Sequence, residues 1–88
     1  MNYDIVWHPA AENELAAVWM AAEDRDAVNV AVRWFENYLA RRPLTFGVPQ
    51  LSSVHRMAYF ESFAIEYEVI EDDKRVFVLS MFRVEAGT

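Results

Sequence analysis

The 88-residue sequence has no cysteine. That excludes a disulfide framework and thiolate chemistry, and it suits a reducing compartment. Glycine occurs twice and proline three times, too rarely for a loop-rich or disordered chain. No apolar run approaches the roughly 20 residues of a membrane-spanning helix. The opening residues 1–9 have neither a basic region nor a long apolar stretch, so no secretory signal is expected. The expectation is a cytoplasmic protein with no membrane association. There is no phosphate-cradling glycine loop, no His-Glu-x-x-His and no cluster of ligating side chains, so no metal or cofactor is expected.

Apolar residues are plentiful. They make up 55% of the chain and aromatics 15%, enough for the dense core that a single short domain over 1–88 needs. The net charge is −6, which opposes direct binding to nucleic acid. The charge is unevenly spread. Residues 41–60 contain Arg41, Arg42 and Arg56 and no acid, whereas acids dominate on both sides.

Hydrophobic periodicity predicts the elements. Tyr3, Ile5 and Trp7 alternate with Asp4 and Val6, which gives a first strand over 2–7. Pro9 suits a first helical position. Ala11, Leu15, Val18, Trp19 and Ala22 then mark one face of a helix over 10–22. Asp24 or Asp26 can cap a second helix over 26–40. That helix has two adjacent apolar stripes, one of Ala27, Val30, Ala31, Trp34 and Tyr38, the other of Val28, Val32, Phe35 and Leu39. So wide a stripe implies a helix held between a sheet and the first helix, and it leaves Val28, Val32 or Tyr38 as candidates to meet a partner. Pro43 and Gly47 punctuate a connector. Strands follow over 54–59, 62–70 and 75–83, the last two joined by an acidic turn in the pattern of a β-hairpin. The predicted class is α+β, in the order β-α-α-β-β-β, with two helices on a four-stranded, mainly antiparallel sheet.

Few residues could carry chemistry. His8 reads as a helix-entry residue and Glu71-Asp72-Asp73 as a solvated turn. Glu66 and Glu68 read as the water-facing side of an antiparallel sheet. His55 could carry a proton. Arg56 and Arg83 could form a small anion site if their strands lie close together. Arg41 and Arg42 fall at a helix C-terminus, where cations are favoured.

Four segments together resemble the RelE/ParE superfamily, the toxins of type II toxin–antitoxin and plasmid stabilisation systems. They are 7–15 (WHPAAENEL), 39–47 (LARRPLTFG), 63–69 (FAIEYEV) and 76–83 (VFVLSMFR). The resemblance spans nearly the whole chain. It implies two helices packed on a curved antiparallel sheet and a cognate antitoxin that wraps around the toxin. It also implies one of two targets: the ribosome, where RelE-like members cut messenger RNA, or DNA gyrase, which ParE-like members poison. The arginine that holds phosphate in the nucleases falls on Ala64, and the histidine before the last arginine falls on Phe82. Only Arg83 of that pair remains. The resemblance therefore implies a ParE-like toxin that acts by protein binding, with Val28, Val32, Tyr38, Arg41 and Arg42 as partner-binding residues. The alternatives are a ribosome-dependent mRNA endonuclease with an altered site at His55, Arg56 and Arg83, or a non-toxic interaction module of the same fold.

Overall fold

The computed structural model describes residues 2–84. The chain runs through strand β1 (Asp4–Trp7), helices α1 (Pro9–Ala21) and α2 (Arg25–Arg41), and strands β2 (Val48–Pro49), β3 (His55–Phe60), β4 (Phe63–Ile70) and β5 (Arg75–Arg83). One five-stranded sheet has the order β1-β5-β4-β3-β2. β1 is parallel to β5 and all other pairs are antiparallel. The class and helix count match the sequence reading, but the sheet has five strands instead of four. The extra strand is the two-residue β2, in which Val48 pairs with Met57 and Pro49 with Arg56. A proline-containing pair at a sheet edge is invisible to periodicity, and the edge is where proline is tolerated.

Local sequence sets both helix entries. His8 is the N-cap of α1: its Nδ1 accepts from the Ala10 amide and Pro9 occupies the first turn. Asp24, rather than Asp26, caps α2 by accepting from the Ala27 amide at 3.1 Å. Arg25 closes the end of α1. Its guanidinium donates to the Trp19 and Met20 carbonyls and lies 4.3 Å over the Trp19 ring. The Trp19 carbonyl also accepts from the Ala22 amide at 3.3 Å; the last carbonyls of a helix run short of intrahelical donors, so a cation there is favourable.

The core lies between the helices and one face of the sheet. Val28, Ala31, Phe35 and Leu39 of α2 meet Ala58, Phe63, Ile65, Tyr67, Val69, Val76, Val78 and Met81. The stripe of α2 that carries Trp34 and Tyr38 is covered differently from the expectation. Trp34 stacks on Phe60 at 4.4 Å and packs edge-on to Phe46, while Tyr38 stacks on Phe46. Phe46 of the connector and Phe60 at the end of β3 cover these two aromatics.

β5 departs from simple alternation. Glu66 faces Ser80 while the next residue, Tyr67, faces Val78, so Leu79 is the extra residue of a β-bulge. The bulge reverses the phase. Val76, Val78 and Met81 point into the core, not the Phe77-Leu79-Met81 set that strict alternation groups together. The bulge falls just past the last residue paired with β1, Val78. Beyond it α1 takes over the exposed edge, and the Glu14 carboxylate accepts from the Met81 amide at 3.2 Å.

Candidate functional site

The sequence singles out His55, Arg56 and Arg83 as a possible reactive set, and the fold keeps them apart. His55 and Arg56 are consecutive in β3 and so point to opposite faces. Arg56 pairs with Tyr67 on the helix side. Only 7% of it is exposed, and each nitrogen of its guanidinium donates to a backbone carbonyl. Nε donates to Phe46 O at 2.9 Å, one terminal nitrogen to Ser53 O at 2.8 Å and the other to Gly47 O at 3.2 Å. Arg56 is therefore a clamp on the connector and not a free phosphate ligand. Tyr67 completes the clamp: its hydroxyl lies 2.8 Å from Pro43 O and 2.5 Å from Phe46 O. Burial raises the phenol to about 12, with Arg56 opposing the rise.

Gly47 is fitted into the same cluster. Its φ is +76°, and a Cβ there would stand 2.4 Å from Met57 O and 3.1 Å from the Tyr67 hydroxyl. A side chain would meet fixed backbone in a left-handed conformation, so glycine is required.

Arg83 pairs with Phe63, whereas His55 pairs with Glu68. Five residues of β4 separate the two positions, about 17 Å at strand spacing. Arg83 stacks on Phe63 and borders a cleft with Asp24 and Asp26 at the start of α2. The anion site expected from Arg56 and Arg83 is not assembled.

His55 has a different partner. On the sheet face turned away from the helices, its Nε2 contacts Glu66 Oε2 at 2.5 Å. Both side chains are partly covered, so Glu66 is not simply water-facing. Periodicity places Glu66 on this face, but the two-position diagonal across the β3–β4 ladder that brings it to His55 needs the register.

At the other end of the hairpin, the turn read as solvated is tied back to β1. Tyr3 donates to Glu71, and Lys74 donates to Glu71 at 3.1 Å while lying over the Tyr3 ring. The Tyr3 hydrogen bond, followed by that from Lys74, lowers the Glu71 carboxyl; the same contacts raise Tyr3 and Lys74. Among the described residues, no three acidic or histidine side chains gather as a metal site.

The partner-binding set also divides. Val28 is fully buried in the core and has no surface to offer, a correction to its expected role. It lies on the sheet side of α2. Val32 lines an open cleft of 630 Å³ between the helices, with Leu15, Trp19, Met20 and Arg33. Tyr38, Arg41 and Arg42 are exposed together at the far end of α2, beside Asn37. Trp19 and Met20 were missed as surface residues because the α1 stripe counts Trp19 as inward; it is partly exposed.

The sequence matches no protein-family model and no curated protein. Its fold does match solved structures. The RelBE2 toxin–antitoxin complex of Mycobacterium tuberculosis aligns with a TM-score of 0.75 at 14% identity, covering 94% of this chain and 92% of that one. The chromosomal ParDE system of P. aeruginosa gives 0.73 at 20% identity, covering 94% and 97%. The isolated E. coli RelE toxin gives 0.64 at 16% identity, covering 97% and 87%. The chain has the α+β fold of these RelE and ParDE structures.

Proposed function

We propose that this chain is the toxin-like member of a type II toxin–antitoxin pair and that it acts by binding a protein, in the manner of a gyrase-directed ParE-like toxin. The observation that carries this reading is the dispersal of His55, Arg56 and Arg83 over two faces and two ends of the sheet. RNA cleavage needs a proton acceptor and cations converging on one phosphate. Among the described residues the one buried cation, Arg56, is held by three backbone carbonyls. The surface offers apolar contact instead, in the cleft of Leu15, Trp19, Met20 and Val32 and across the outer face of the sheet. Exposed apolar area of this kind is what a protein partner covers. The cognate partner is an antitoxin, and the exposed Tyr38, Arg41 and Arg42, with the partly buried Val32 of the helix cleft, belong to the surface it meets. The solved structures of similar fold include toxin–antitoxin complexes, which supports an antitoxin as the partner.

One observation favours a second reading, a ribosome-dependent mRNA endonuclease. The Glu66 carboxylate against His55 is an arrangement that could orient an imidazole as a base.

Controlled expression in a bacterial host, with and without the neighbouring gene, tests both. Growth arrest with gyrase-dependent DNA breaks and no new RNA ends is the expected result. New transcript ends inside codons, lost on His55→Ala, would establish the nuclease. Normal growth would leave a non-toxic binding module of the same fold.

A further inference from the structure

The face of the sheet turned away from the helices has an unusual composition for a surface. Its apolar residues come from all five strands. Val6 lies beside Phe77, and Val48 beside Met57. Tyr59 and Phe82 stand on either side of Ala64. Tyr59 is 53% and Phe82 39% exposed, while Ala64 between them is fully covered. The middle of this face is acidic. Glu66 and Glu68 project from β4, two residues apart, about 7 Å at strand spacing. Of these two carboxylates, the His55 ring contacts that of Glu66. The cation on this face, Arg75, sits at its end beside Asp4, away from Glu66.

This is an apolar frame around a negative centre. An apolar segment laid over it would bury Tyr59, Phe82, Val6 and Val48 favourably but would take the two carboxylates out of water. That is costly unless cations meet them. A segment with its own carboxylates would add like-charge repulsion. We infer that this face receives an amphipathic segment of a protein partner whose apolar side chains surround one or two lysines or arginines. The inference rests on the protein-binding reading above, and the occupant it assigns is the cognate antitoxin. The net charge of −6 acts in the same direction at long range.

The test uses two synthetic amphipathic helical peptides with the same leucine stripe, one with arginines within the stripe and one with glutamates. Each is titrated into the ¹⁵N-labelled full chain at low and high salt. The arginine peptide is expected to bind at least tenfold more tightly, to shift the amides of Met57, Tyr59, Glu66 and Phe82, and to lose that preference as salt rises. The double substitution Glu66→Gln and Glu68→Gln is expected to abolish the preference while leaving the rest of the spectrum in place. Phe82→Ser, at an exposed position, should weaken the arginine peptide without removing its preference. Equal binding of the two peptides, shifts confined to the α1–α2 cleft, no binding by either, or a preference untouched by the double substitution would each overturn the inference. None of these results bears on growth arrest. Conversely, loss of the toxin reading would leave an observed preference for the cationic peptide intact.

Discussion

Arg56 and Tyr67 show how single residues can take a structural role where chemistry is expected. An arginine in a strand reads as a ligand for phosphate until its donors are followed to three backbone carbonyls. Those carbonyls belong to a connector with little regular hydrogen bonding of its own, and a buried backbone acceptor must find a donor somewhere. Arg56→Ala is expected to destabilise the protein by about 3 kcal/mol, because it leaves these acceptors unpaired in a buried site. Urea unfolding would check this, and no loss of stability would remove the clamp from the account. Tyr67 gives a pH signature. Its phenol stays protonated to about 12 in the folded chain, against 10.0 for the free group. The folded state therefore holds a proton that the unfolded chain releases first. The Tyr67 contribution is fully present below pH 10 and is lost as pH rises toward 12. Tyr67→Phe should flatten the fall in stability over that window, measured as the midpoint of chemical unfolding against pH, and should cost about 1 kcal/mol at neutral pH through the lost hydrogen bond.

At the scale of elements, turns and caps decide more than strand propensity does. The Asp24 cap fixes where α2 begins, and Asp24→Ala should lower stability by about 1 kcal/mol. Asp26→Ala, one turn position later, should have a smaller effect. A thermal-unfolding comparison of the two variants separates cap from neighbour, and equal losses would contradict the assignment. Gly47 lets the connector fold back so that Val48 can pair with Met57. Gly47→Ala would be driven against the Met57 carbonyl. The expected result is loss of the β2 pairing and faster amide exchange over 46–56, with β4 and β5 still protected. Uniform protection across the chain would show that the turn tolerates a side chain. The bulge at Leu79 acts similarly on β5. By resetting the phase it places Met81 in the core and Phe82 on the outer face.

For the whole molecule, the fold gives one sheet two different faces. The inner face is closed by α1, α2 and the aromatic residues of the connector. The outer face remains apolar at its margins and acidic at its centre. That division supports the protein-binding proposal and sets the sign of the expected partner. In growth assays matched for arrest by each chain alone, the double substitution Glu66→Gln and Glu68→Gln should weaken rescue by a co-expressed antitoxin. Undiminished rescue would place the neutralising contact elsewhere, with the α1–α2 cleft as the next surface to substitute. The sequence by itself determined the two helices, the three long strands and their order, because periods of 3.6 and 2 are written directly into the apolar pattern. It also marked the helix entry at His8 and narrowed the second cap to Asp24 or Asp26, since capping is local; the structure chose Asp24. Only the tertiary structure decided that Val28 is buried, that Arg56 is a clamp, that His55 meets Glu66 and that Arg83 lies far from both. Each of these depends on register, on a bulge or on a connector folding back, which join residues distant in sequence and leave no periodic trace in it.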